Sequence, residues 1–163
     1  MSVYTRLTKE ELEQLLSQYD IGNLVNIEGI NEGITNSNFY LTTTKSKFIL
    51  TIFEVPNLNL EYAIDLMDML SVNQISCPIP IKTRKGLTII NVKNKPASIF
   101  SLLAGKTISS NIPTINMCKE IGNTRGRIHV NSKKFHKYYL GLRSSTWFEK
   151  TSKKLRDVLE DED

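Results

Sequence analysis

Cysteine, histidine and long apolar runs are scarce in this sequence. Its two cysteines, Cys77 and Cys118, stand far apart, with no second thiol or histidine at metal or redox spacing. That argues against a disulfide framework, a zinc knuckle and a dithiol redox site. The pair reads as reduced, buried thiols of a cytosolic protein. No stretch approaches the ~18 uninterrupted apolar residues of a membrane span. The opening "MSVYTRLTKEELEQLL" has no apolar signal core. The expectation is a cytoplasmic protein with no membrane partner. Internal repeats and low-complexity segments are missing as well. Acids become scarce in one region, where the basic residues from Arg125 to Arg156 face a single acid, Glu149. Aromatics Phe135, Tyr138, Tyr139 and Trp147 lie among those charges, so a nucleic-acid patch, a solvated helical surface and a surface that an absent segment would cover all fit. With no recognised binding motif beside it, nucleic acid is not the expected partner.

What is present suffices for one core, or for one small domain and part of another: 163 residues, 40% of them hydrophobic. Thr8 and Glu11 have capping-box spacing, and Leu12, Leu15, Leu16 and Tyr19 recur at helical intervals, which predicts a helix over Lys9 to Tyr19. Leu24 to Ile30, Asn38 to Thr43 and Lys47 to Phe53 carry the β-branched and aromatic residues of strands, with a hairpin turn at "TKSK" whose Lys45 and Lys47 are expected to be solvated. Leu60, Ala63, Ile64, Met67 and Leu70 form one apolar helical face, and "SCPIP" is expected to end that helix. Leu87 to Val92 and Ala97 to Leu102 predict two more strands around "KNK". Beyond Pro113, helices are expected to about His129 and over Trp147 to Leu159. The fold class is α+β: an antiparallel sheet of about five strands with helices, then helices alone.

Polar residues crowd into "EGITNSN", Glu32 to Asn38. Gly33 lets a backbone approach an anion, and Asn36, Ser37 and Asn38 offer compact donors. An ordinary hairpin turn would use the same residue types. Similarly, the strand end at Phe100, Ser101 and Leu102 offers main-chain groups to a flat heterocycle such as adenine, or is simply a buried edge strand. His129, near a helix C-terminus, is electrostatically at home there without any chemistry.

Taken in order, "YDIG", "GINEGITNSNFYLTT", "FILTIFE", "CPIPI", "KPASIFSLLAGK" and "CKEIGNTRGRIH" resemble the bacterial homoserine kinases of the aminoglycoside and choline phosphotransferase superfamily, with its protein-kinase-like fold. The resemblance implies a nucleotide-binding lobe over residues 1–103, a hinge at 104–112 and a partial helical lobe over 113–163. It implies ATP and Mg²⁺ as cofactors and L-homoserine as the acceptor, a step toward threonine. It also implies nucleotide-binding roles for Gly33, Asn36, Ser37, Asn38, Thr51, Phe100, Ser101 and Leu102. Thr51 departs from the superfamily, which places a phosphate-binding Lys there, so the cation that meets the phosphates is open and Glu54 is not assigned as its partner. A choline-, aminoglycoside- or fructosamine-type acceptor, or a non-catalytic interaction module, are the alternatives.

The superfamily's "HxDxxxxN" loop and later Asp motif do not occur, so no catalytic base and no metal ligand is assigned. A truncated or split gene product, inactive by itself, is expected, with a second chain as a possible source of the missing lobe. In "GNTRGRIH", Arg125 and Gly126 replace the Leu and Ala usual in the family, at an expected cost if Arg125 is buried.

Overall fold

The computed structural model describes residues 3–31, 33–55, 59–105, 114–137 and 145–160, the last without the side chains of 154, 155 and 157–160. The elements run α1 (Lys9–Leu16), β1 (Leu24–Ile30), β2 (Asn36–Thr43), β3 (Lys47–Phe53), α2 (Leu60–Val72), β4 (Ile90–Val92), β5 (Lys95–Ser101), α3 (Ile115–Ser132) and α4 (Ser145–Glu160). The strands form one antiparallel sheet in the order β1-β2-β3-β5-β4.

Strand alternation gives the sheet two unlike faces. On one face Phe39, Leu41, Phe48, Leu50, Ile52, Ala97 and Ile99 pack with Leu12, Leu15 and Leu16 of α1 and with Tyr19 and Ile21 beyond it. Fully burying side chains of this size stabilises by roughly 1.5–3 kcal/mol each, so this side supplies the core. The other face, carrying Asn38, Ile49, Thr51, Phe53 and Phe100, looks toward α2 across a cavity.

Local chemistry explains the ends of the elements. The Thr8 capping box opens α1, with Glu11 N–H donating to Thr8 Oγ1 and Thr8 N–H donating to Glu11 Oε2. The helix stops at Leu16, short of the expected Tyr19, because Gln18 and Tyr19 make the tighter bonds to Leu15 O and Leu16 O. The β2–β3 turn is tied by Thr43, whose Oγ1 accepts from Lys45 N–H and Ser46 N–H and donates to Ile21 O. Lys45 is exposed as expected, though it also pairs with Asp20. Between β4 and β5, Lys93 and Asn94 both have positive φ, as the two central residues of a type I′ turn require.

Several boundaries differ from expectation. Strand β2 begins at Asn36, because it pairs with β3 as far as Phe53, so the polar loop is shorter than its sequence suggests. Helix α2 ends at Asn73 and Gln74, not at the prolines; Gln74 turns to φ 55°. Strand β4 is shortened to Ile90–Val92, and residues 79–81 instead run along β5, with Ile81 N–H donating to Ile99 O and Ser101 N–H donating to Ile79 O. Helix α3 continues past His129 to Ser132.

Helix α3 has no buried residue. Arg125 is exposed, so the expected cost of burying it does not arise, and a Cβ at Gly126 would meet nothing within 4 Å. The helix is tied to α2 by polar groups: Arg127 Nη2 donates to Asn73 O (3.2 Å) and Gln74 O (2.9 Å), carbonyls left free at the end of α2. Lys137 pairs with Asp65, and Phe135 meets Tyr62 edge to face. Cys118 is exposed and Cys77 half-buried, against the expectation of two buried thiols; both are free. Burial, then Asp68, pushes the Cys77 thiol pKa up. No helix among the described residues is long and apolar enough to cross a membrane. Glu32, residues 106–113 (most of the expected connector), Tyr138, Tyr139 and Arg143 lie outside the described residues.

Candidate nucleotide site

A cavity of about 460 Å³ lies between α2 and the sheet. Its walls follow from two periodicities. The i, i+3, i+4, i+7 face of α2 brings Leu60, Ala63, Ile64 and Met67 to one side, and alternation in β3 brings Ile49, Thr51 and Phe53 to the other. Pro78 closes one flank, and Phe100, Ser101, Leu102 and Leu103 form the floor and lip where β5 ends. Polar groups gather at the opposite end, from Asn36, Asn38 and Thr51. An apolar slot with a few convergent polar groups is the usual form of a small-molecule site.

The structure therefore brings Asn36, Asn38, Thr51, Phe100, Ser101 and Leu102 to one cavity. Asn38 and Thr51 face each other across β2 and β3, and Thr51 Oγ1 donates to Asn38 Oδ1 at 2.8 Å. The Asn36 carbonyl Oδ1 is buried and has no hydrogen-bond partner among the described residues. Gly33 sits at φ 111°, and a Cβ built there would stand 3.8 Å from Asn38 Nδ2, so the polar loop lies beside the Asn38 amide. At the lip, Ser101 N–H already donates to Ile79 O and Ser101 Oγ accepts from Ile79 N–H. Leu102 and Leu103 follow the last paired residue and are partly exposed.

Ser37 goes elsewhere. Strand alternation turns its side chain to the core face, where it is fully buried. Its Oγ accepts from Tyr4 N–H (2.8 Å) and Thr5 N–H (2.9 Å) and donates to Glu54 Oε1 (2.5 Å). Glu54 in turn pairs with Lys95, whose Nζ also donates to Thr5 Oγ1. The resemblance linked Ser37 to the nucleotide and did not assign Glu54 as the partner of a phosphate-binding cation; in the structure both belong to a clamp that holds the N-terminal segment on the sheet. The sequence signal was available in the alternation of β2, once its start at Asn36 is known.

This clamp has a pH signature. Burial pushes the Glu54 carboxyl pKa up, but hydrogen bonds from Lys95, Ser37 and Thr5, with the Lys95 charge, outweigh it and leave the pKa below its ordinary 4.5. A depressed folded pKa gives stability that is full above the unfolded value and lost as pH falls through the folded value. Urea unfolding between about pH 7 and pH 3 is expected to show stability falling at the acid end. The fall should be shallower in Glu54→Gln, and an unchanged slope would remove Glu54 from the clamp.

Among the described residues no three His, Cys, Asp or Glu side chains gather where a metal ion is held, and no charged side chain lines the cavity. His129 is exposed and does not line the cavity. The wall residues Ile49, Ala63 and Met67 were missed as site residues, because their periodicity reads equally well as packing of a helix on a sheet.

Comparison with known proteins accounts for this arrangement. The profile of the phosphotransferase enzyme family matches residues 26–162. The homoserine kinase of Methylobacillus flagellatus is 34% identical over 99% of this chain, and that of Gluconobacter oxydans 41% identical over 80%. These alignments cover 50% and 41% of the two relatives, so the chain spans about half the length of the curated relatives it matches. Among solved structures, a spectinomycin phosphotransferase in complex with ADP and spectinomycin superposes with a TM-score of 0.69 at 15% identity, over 89% of this chain and 45% of that one. A microcompartment-associated aminopropanol kinase superposes at 0.65 and 16% identity, over 86% and 46%. The fold agrees with these structures, and the family match extends over most of the sequence: this chain belongs to the phosphotransferase enzyme family.

Proposed function

We propose that these residues form the nucleotide-binding half of a homoserine kinase, which transfers the γ-phosphoryl group of ATP to the side-chain hydroxyl of L-homoserine. The observation that carries the reading is the run of homoserine kinases aligned over most of this chain at 34–41% identity. The cavity supports it. The adenine would lie in the apolar slot between Ile49 and Phe100 on one side and Ala63 and Met67 on the other, hydrogen-bonded to main chain at Leu102 and Leu103, since Ser101 N–H is engaged. The phosphates would extend toward Asn38 and Gly33. The division into a nucleotide lobe over 1–103, a connector over 104–112 and helices from 113 belongs to the same proposal.

Phosphoryl transfer needs a carboxylate to orient the hydroxyl and ligands for Mg²⁺ between the phosphates. The described residues fit the nucleotide but supply no such cluster, so no step is assigned to Mg²⁺ here. We place those groups in a further segment corresponding to the relatives' other half, in the same protein or in a second chain. Ile121 of α3, which is 60% accessible, lies beside Ile128 on one side of the helix, and that side is where the segment would pack.

The test is phosphohomoserine formation from ATP, Mg²⁺ and homoserine. The chain alone is expected to give none above background, and addition of the C-terminal half of a homoserine kinase relative is expected to restore it. Turnover of ~1 to 100 per second by the chain alone would overturn the assignment of base and metal ligands to another segment. Restored activity on choline or an aminoglycoside, with none on homoserine, would overturn the acceptor.

A further inference from the structure

Among the described residues, the cavity assigned to the nucleotide has no cation where its phosphates would lie. Thr51 occupies the β3 position that faces this end, and no Lys or Arg among the described residues lines the cavity. The phosphate end must then be met differently, and the Thr51–Asn38 pair shows how. An Asn side chain has one acceptor end and one donor end. Thr51 Oγ1 donates to the acceptor end, Asn38 Oδ1, at 2.8 Å. The donor end, Nδ2, is therefore left on the side of Gly33, whose absent Cβ would come within 3.8 Å of it. Thr51 is only 9% exposed and its strand is paired on both sides, so the hydroxyl that fixes the amide is itself fixed.

We propose that Thr51 is a positioning residue: by holding the Asn38 carbonyl it sets the rotation of the amide, so that Asn38 Nδ2 donates to an anionic phosphate oxygen in place of a lysine. The proposal rests on the nucleotide site above. A neutral donor pre-set in this way loses no long flexible side chain's freedom on binding, and it offers an oxyanion a hydrogen bond without burying a charge when the site is empty.

The experiment is an NMR titration of the ¹⁵N-labelled chain with ATP and, separately, with adenosine. The Asn38 side-chain amide signals are expected to shift with ATP and not with adenosine. Thr51→Val, which keeps the shape and removes the hydroxyl, is expected to weaken ATP binding about fivefold to tenfold and leave adenosine binding unchanged. Thr51→Ser is expected to restore ATP affinity, and Asn38→Ala to weaken it as much as Asn38→Ala and Thr51→Val together. Backbone spectra report whether each variant is folded. ATP affinity unchanged in Thr51→Val overturns the positioning role, as does an equal loss of ATP and adenosine. A parent chain that binds ATP alongside an unaffected Thr51→Val variant sinks this inference alone, whereas a parent chain that binds neither ligand removes the nucleotide site as well.

Discussion

A chain carrying Ala63→Phe is expected to fold as the parent does and to lose nucleotide binding by at least tenfold, or about 1.4 kcal/mol. Ala63 is the smallest of the α2 residues that line the cavity, and it stands between Leu60, Ile64 and Met67 on the face turned to Ile49 and Phe100. A ring introduced there enters space that is open to a ligand in the parent. Overpacking of a filled core costs about 1–3 kcal/mol, but this site is not filled, and the new ring gains apolar burial. The effect should thus fall on binding and not on folding. Titration with ADP, beside a urea unfolding curve for each chain, separates the two. Retained affinity in a folded variant would mean that the nucleotide binds somewhere other than this cavity.

The largest effect on stability is expected from Leu50→Ala, at about 2–5 kcal/mol. Leu50 is completely buried in β3, the middle strand of the sheet, with Phe39 of β2 and Ile99 of β5 as its register partners on either side. Its side chain points into the cluster capped by Leu12, Leu15 and Leu16 of α1. Two paired neighbours hold the backbone in place, so the cavity left by the smaller residue cannot collapse easily, which puts the cost toward the upper half of that range. Urea denaturation at neutral pH measures it. A loss below about 1 kcal/mol would show that the α1 side of the sheet is not the stabilising core. Because the cavity lies on the opposite face, any nucleotide binding that remains in the folded fraction should be close to that of the parent.

These two expectations concern opposite faces of one sheet, and that division marks where sequence stops being informative. The periodicities of α1, β1, β3 and α2, the Thr8 capping box and the positions of both hairpins follow from local chemistry, so their existence is legible in the residues alone. So is the family, because the order and spacing of motifs such as "EGITNSN" and "FILTIFE" are properties of a string. What each motif residue does is not. Asn36, Ser37 and Asn38 are three consecutive compact polar residues with equal claims on a phosphate, and only the pairing of β2 with β3 from Asn36 onward sends Ser37 to the core clamp and its two neighbours to the cavity. Glu54 finds Lys95 forty-one positions away because β3 and β5 are neighbours in the sheet. Arg125 is spared burial for the same kind of reason: α3 is held at the end of α2 through Arg127, with Lys137 of the segment after it paired to Asp65, and buries no face of its own among the described residues. Alternation and helical period are set by the backbone within a few residues, whereas the face a residue meets depends on register between segments distant in sequence, and that is decided only when the sheet closes.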